Sequence, residues 1–258
     1  MGKMKRDEIL FVMAYHSRRE FDQYRRILDH WDELVEMKSP FRILFVDSIG
    51  EKIRTRLPHD TIEYADPPGL RRHQRINLKW AFVARHVEEA RDCALWFWWE
   101  ADALPVRRDC FEFFKGFWRG SHRIMGYHVK DDMWGMRHRI NGVAFYARDY
   151  WSYFQPSYDP AKTFDTCKRF DPRADRADFA ELNRWYGLVF HEKSSRGPFI
   201  LSPGLRLVHG IKDESLLEHV LGRRRIFPVR SDAYRAVRNR YRWLAANWGL
   251  KKIPPPER

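Results

Sequence analysis

Residues Leu95 to Trp99, LWFWW, form an unbroken run of bulky apolar side chains that ends in acid at Glu100 and Asp102. The run is too short for a globular helix and has no polar alternation to turn toward water. It therefore predicts a strand covered on both faces, as in the interior of a parallel sheet. A chain with such a strand must supply helices to cover it. Pro105 lacks a backbone N–H and predicts the end of ladder pairing, which puts both carboxylates on the loop beyond the strand's C-terminal end. Open α/β sheets bind their ligands at that end. Positions i and i+2 of an extended segment point the same way, so Glu100 and Asp102 are spaced to share a hard divalent cation, with a metal-bound diphosphate as the matching ligand. The simpler reading is that a buried strand ends in acid because the chain emerges into water.

The flanking chain supplies the partners that such a strand needs. Glu8 to Tyr15 reads as a first buried strand, and apolar residues at Phe21, Tyr24, Ile27, Leu28, Trp31 and Leu34 predict one amphipathic helix after it. Phe41 to Val46 is a second strand, which makes the opening a βαβ unit, and it ends in Asp47. An acid at that place in a nucleotide-binding α/β domain can accept from ribose hydroxyls, so Asp47 is a candidate nucleoside contact; a loop-starting residue without a ligand is the alternative. Thr61 to Tyr64 is a short strand closed by the turn Asp66-Pro67-Pro68-Gly69. Ile76, Trp80, Val83 and Val87 then recur at helical spacing, behind first turns that carry Arg71, Arg72, His73 and Arg75. Cations at a helix N-terminus oppose the macrodipole. Arg71 and Arg72 are thus candidates for donor phosphates or an acceptor polyanion, against the alternative of a solvated basic turn.

Beyond Pro105, a short aromatic helix spans Phe111 to Trp118, and Arg123 to Val129 and Val143 to Tyr146 read as strands. Asn141-Gly142, just before the second of these, has the composition of a hairpin turn. Gln155 to Ala177 reads as a long loop, a candidate lid. Asp178, with Glu181 three residues on, predicts the N-cap of a helix over DFAELNRWYGLVF. Near the end, the strand-like run Leu205 to Val208 leads into His209-Gly210-Ile211-Lys212; an imidazole suits Mn²⁺, and a lysine suits phosphate.

The acidic pair after a central strand resembles the DxD element of GT-A glycosyltransferases, here with Glu100 in the first place. The order of elements over roughly residues 8 to 213 is similar to theirs. The loop holding Trp134 and the segment Asn141 to Tyr146 resemble their acceptor side, and His209 with Lys212 resembles, in shortened form, their C-terminal H-x-x-G-x-x-K element. The resemblance implies a GT-A-like, mainly parallel sheet with helices on both faces. It implies glycosyl transfer from a nucleoside-diphosphate sugar, UDP-linked, to a hydroxyl. In that scheme Glu100, Asp102 and His209 hold Mn²⁺ or Mg²⁺, Lys212 meets the diphosphate, Asp47 the nucleoside, and Asp178 is the candidate base of an inverting mechanism, a role that a retaining mechanism would not give it. The catalytic domain would cover residues 1 to 220, with a basic helical appendage over 221 to 258.

Charge bears on the acceptor. The chain carries 48 Lys and Arg against 35 Asp and Glu, a formal +13, which favours polyanionic partners. In the tail, arginines including Arg238 and Arg242 alternate with Tyr234, Tyr241, Trp243 and Trp248, the mixture a nucleic-acid surface needs. The favoured acceptor is a hydroxymethylated base in DNA of the phage type, flipped out of the duplex with an aromatic such as Trp134 to hold it. The alternatives are a polysaccharide or lipid-linked acceptor, a nucleic-acid-binding protein without catalysis, and a metal-dependent nucleotidyltransferase. Three cysteines without C-x-x-C spacing fit a reducing cytoplasm, the host's if the source is viral. Asp7 and Glu8 stand between the basic N-terminal residues and the short apolar run Ile9 to Ala14, which reads as a strand rather than a leader, and no stretch approaches a membrane span.

Overall fold

The computed structural model describes residues 7–129, 139–161, 179–181, 188–190, 206–210 and 215–222. The unbroken apolar runs do become strands buried on both faces. Along β1 (Ile9–Tyr15), Ile9, Phe11, Met13 and Tyr15 enter one core while Leu10 and Val12 enter another. In β4 (Leu95–Trp99), Leu95, Phe97 and Trp99 face the first core, and Trp96 and Trp98 face the second. Each core needs its own helices. The first is covered by α1 (Arg18–Asp29), α2 (Trp31–Leu34) and α4 (Cys110–Lys115), through residues such as Phe21, Tyr24, Trp31 and Phe111. The second is covered by α3 (Arg72–Ala90) and α5 (Tyr150–Phe154), through Trp80, Val83, Val87, Tyr150 and Phe154.

With β2 (Phe41–Asp47), β3 (His59–Glu63), β6 (Ile124–Val129), β7 (Arg139–Ala147) and β8 (Phe179–Glu181), these strands form a seven-stranded sheet ordered β3-β2-β1-β4-β7-β6-β8. The pairs β3-β2, β2-β1, β1-β4 and β6-β8 are parallel, and β7 is antiparallel to both of its neighbours. A smaller sheet joins β5 (Ala103–Pro105), β10 (Leu207–His209) and β9 (Leu188–Phe190). The last described helix is α6 (Ser215–Val220). The chain runs outward from β1 to β3, then returns across α3 to β4 on the other side of β1. The sheet order therefore reverses between β1 and β4, and the crevice at such a switch point is where α/β sheets take ligands.

Several expectations are corrected. The predicted first helix is two, because His30, with φ −110° and ψ 20°, leaves the helical backbone between α1 and α2. Pro105 does not end pairing: it lies in β5 opposite Leu207, where a short edge position tolerates the missing N–H. Phe179–Glu181 is a strand beside β6 rather than the start of a helix, so tertiary pairing overrides the capping-box pattern; Asp178 itself lies outside the described residues. Asn141 and Gly142 lie within β7 rather than in a hairpin turn. His128 pairs with Ile140 and Gly126 with Ala144, so β7 carries the longer stretch over that interval; the Asn-Gly pair serves an irregularity inside the ladder. No helix among the described residues is long and apolar enough to cross a membrane.

Candidate active site

At the end of β4 the chain turns sharply. The Ala103 N–H donates to the Glu100 C=O at 2.9 Å, closing a tight turn that carries Glu100 and Asp102 and leads straight into β5. Antiparallel pairing sets Ala103 opposite His209. The small sheet thus delivers an imidazole from far along the chain to the acidic turn. His209 Nε2 lies 3.0 Å from Glu100 Oε2 and 3.2 Å from Asp102 Oδ1. The following residue locks this arrangement: Gly210 has φ +103°, a conformation that disfavours any side chain, and its N–H donates to the Asp102 C=O at 2.9 Å. Burial alone would lower the His209 pKa. The two carboxylates outweigh it and raise the group to about 9, so in the absence of a metal the imidazole is cationic at neutral pH.

Even then, two carboxylates on one imidazolium leave net negative charge. One ligand atom from each of Glu100, Asp102 and His209 lies within 4.8 Å of the others. Two carboxylate oxygens with one imidazole nitrogen suit Mn²⁺, and the oxygens suit Mg²⁺, so the residues present fit a divalent cation.

The turn forms one wall of a pocket of about 380 Å³ at the C-terminal edge of β1 and β4, between α1 and α3. The lining also includes His16, Arg19, Glu20 and Lys79. His16 closes on Glu20 twice, through Nδ1 at 2.8 Å and through its backbone N–H at 2.9 Å. Burial would raise the Glu20 pKa, but these contacts bring it below its ordinary value. Lys79 is 3% exposed, with Nζ 3.7 Å from Asp66 Oδ1 and 5.6 Å from the Tyr64 ring centre. Burial lowers its pKa, with Asp66 and Glu20 opposing. Neither Lys79 nor the His16-Glu20 pair is among the candidates that the sequence motifs single out. The signal for Lys79 was present: it falls three residues after Ile76 and four before Val83, so the buried stripe of α3 passes through a charge.

The other sequence candidates are placed as follows. Asp47 is buried at the end of β2, and its Oδ1 accepts from the N–H groups of Ile49 at 2.8 Å and Gly50 at 3.0 Å. Its Oδ2 is buried without a hydrogen-bond partner among the described residues, and the residue does not line the pocket. Arg71 is exposed at the N-cap of α3, where its N–H donates to Gln74 Oε1 at 3.1 Å, also outside the pocket lining. The backbones of Arg72 and Asn141 lie in α3 and β7, but their side chains are outside the described residues. So are Trp134, Asp178, Lys212, Arg238 and Arg242.

No protein-family model and no curated protein sequence matches this chain. Solved structures do match it in shape. Mouse xyloside xylosyltransferase 1 in its apo form superposes with a TM-score of 0.50 at 10% identity, over 80% of this chain and 97% of that one. A glycosyltransferase involved in the glycosylation of the major capsid of PBCV-1 gives 0.47 at 12% identity, over 84% and 99%. The galactosyltransferase LgtC, in complex with donor and acceptor sugar analogs, gives 0.47 at 10% identity, over 86% and 97%. The likeness to the xylosyltransferase extends over nearly the whole of that solved chain, and the architecture of this chain is accordingly a GT-A-like α/β fold, with its acidic turn and His209 at the crevice where the sheet order reverses.

Proposed function

We propose that this protein is a metal-dependent glycosyltransferase that moves a sugar from a nucleoside-diphosphate sugar, UDP-linked, to a hydroxyl group. The observation that carries this reading is the meeting of Glu100, Asp102 and His209 at the switch point of a GT-A-like sheet. These three side chains would hold Mn²⁺ or Mg²⁺, whose contribution is Lewis-acid neutralisation of the departing diphosphate. The pocket beside them would take the donor, with Lys79 and Arg19 adding positive charge to its lining and Arg72 and Lys212 as further donor contacts, while Asp47 and Arg71, outside that lining, take no part. In an inverting displacement the acceptor oxygen bonds to the anomeric carbon as the bond to the diphosphate breaks, and the hydroxyl proton passes to Asp178. The nucleoside diphosphate is the leaving group.

For the acceptor, the net charge of +13 and the arginine-aromatic tail support a hydroxymethylated base in DNA, with Trp134, Asn141, Arg238 and Arg242 as acceptor contacts. Calorimetric titration of UDP, with GDP as control, tests the donor site with and without Mn²⁺ on the wild type and on Asp102→Ala. Manganese-dependent UDP binding that is lost in the variant is expected. Absence of nucleotide binding under every condition would overturn the reading. Release of UDP from UDP-sugars on hydroxymethylated but not unmodified DNA tests the acceptor, and release on an oligosaccharide or lipid-linked acceptor instead would replace it.

A further inference from the structure

The turn that bears Glu100 and Asp102 is held in place by side chains that are not themselves ligand candidates. Tyr24, 1% exposed in the middle of α1, donates its hydroxyl to the Trp99 C=O at 2.5 Å. That carbonyl belongs to the peptide leading into Glu100. The Trp99 Nε1–H in turn donates to the Ala103 C=O at 2.7 Å, on the far side of Asp102. A phenol and an indole therefore pin the two ends of the acidic turn. Neither ring has room to swing. Trp99 packs against Phe11 at 5.6 Å and Phe111 at 4.8 Å between ring centres, and Tyr24 against Tyr15 at 6.5 Å.

An indole N–H in an aromatic core is a liability unless it finds an acceptor. Leu95 and Phe97, on the same face of β4, carry no polar atom at all. Trp99 uses its polar atom where the strand ends, and the acceptor it finds fixes the spacing of the turn. Tyr24 stands one helical turn after Glu20 on α1, so the same helix that forms the pocket wall also sets the entry to the turn.

We propose that Tyr24 and Trp99 are positioning residues for the cation site: they hold the Glu100 and Asp102 carboxylates at the separation that His209 completes, and so set the affinity of the site for Mn²⁺. This inference rests on the metal-site reading above. Supports behind metal ligands are worth about 10- to 100-fold in affinity in other proteins.

The test is Mn²⁺ titration of the full chain, followed by the electron paramagnetic resonance signal of the free ion, alongside urea unfolding. Tyr24→Phe removes one oxygen and keeps the ring. Tyr15→Phe is the control: Tyr15 is 0% exposed, lies against the same helix, and donates to the Glu51 C=O at 2.8 Å, away from the acidic turn. Tyr24→Phe and Trp99→Phe are expected to weaken Mn²⁺ binding by about tenfold or more, while Tyr15→Phe loses comparable stability with its Mn²⁺ affinity unchanged. Wild-type affinity in Tyr24→Phe, or an equal loss in Tyr15→Phe, would overturn the positioning role and leave the metal site standing. A wild type that binds no Mn²⁺ would overturn both.

Discussion

At the N-terminal edge of the main sheet, Glu8, Arg42, Asp60 and Arg91 bring two acids and two bases together, whereas at the C-terminal edge two acids converge on a single histidine. In the first group Arg91 Nη1 lies 2.5 Å from Asp60 Oδ2, and Arg42 bridges to Asp60 and Glu8 at 3.7 Å each. Its charges balance. Such a group ties β1, β2, β3 and the end of α3 to one another and asks nothing of a ligand. The second group keeps negative charge after His209 has been protonated, and a pocket opens beside it. Charge that closes on itself away from a crevice serves the fold, while two carboxylates converging on one imidazole beside a crevice offer ligand atoms to a cation.

Removing a member of the group at the crevice should have the largest effect on binding. Asp102→Ala is expected to weaken Mn²⁺ and Mn²⁺-dependent UDP binding by more than about 100-fold, beyond the range for supporting residues, with cooperative unfolding retained; calorimetry with a urea melt measures both. Retained binding would place the cation elsewhere.

A pH series on metal-free protein comes next. His209 is raised from 6.5 to about 9, so its contribution to stability is fully present below pH 6.5 and is lost as pH climbs through about 9. The loss is of order 3 kcal/mol across that window, and His209→Gln should flatten it. Metal binding must expel the same proton, so Mn²⁺ affinity should rise over that pH range. A flat stability profile in the wild type would deny the cationic histidine.

The matched group makes the opposite prediction. Arg91→Met leaves Asp60 with only the longer contact to Arg42, and should cost about 2 kcal/mol in urea unfolding while Mn²⁺ affinity stays at the wild-type value. A change in affinity would show that the two edges are coupled. Smallest is Gly210→Ala. A side chain at φ +103° strains the backbone by about 1 kcal/mol or somewhat more. The strain falls beside His209 and on the bond to Asp102, so a few-fold loss of Mn²⁺ affinity is expected with it, read by the same titration.

The strands and their two-sided burial were legible in the sequence. Runs such as Leu95 to Trp99 and Ile9 to Val12 have no polar side to show to water, and this alone demands a sheet with helices on both faces. The acidic pair and His209 were legible as residue types suited to a cation, since both edges of that inference are local chemistry. Lys79 was legible in principle, as a charge inside an apolar helical stripe. The Asn141-Gly142 pair and the Asp178-Glu181 spacing were misleading, because their local preference for a turn or a helix cap is worth little against the ladders that β7 and β8 make with β6.

What the sequence by itself determined was the period and burial of each segment and the chemistry each end could offer. Only the tertiary structure decided that β5 pairs with β10, that His209 therefore stands opposite Ala103, and that Tyr24 reaches the peptide before Glu100. The physical reason is one of range. Periodicity and side-chain chemistry act between near neighbours, while a cation site is a set of distances between residues far apart in the chain, set by strand register and by which helix covers which face.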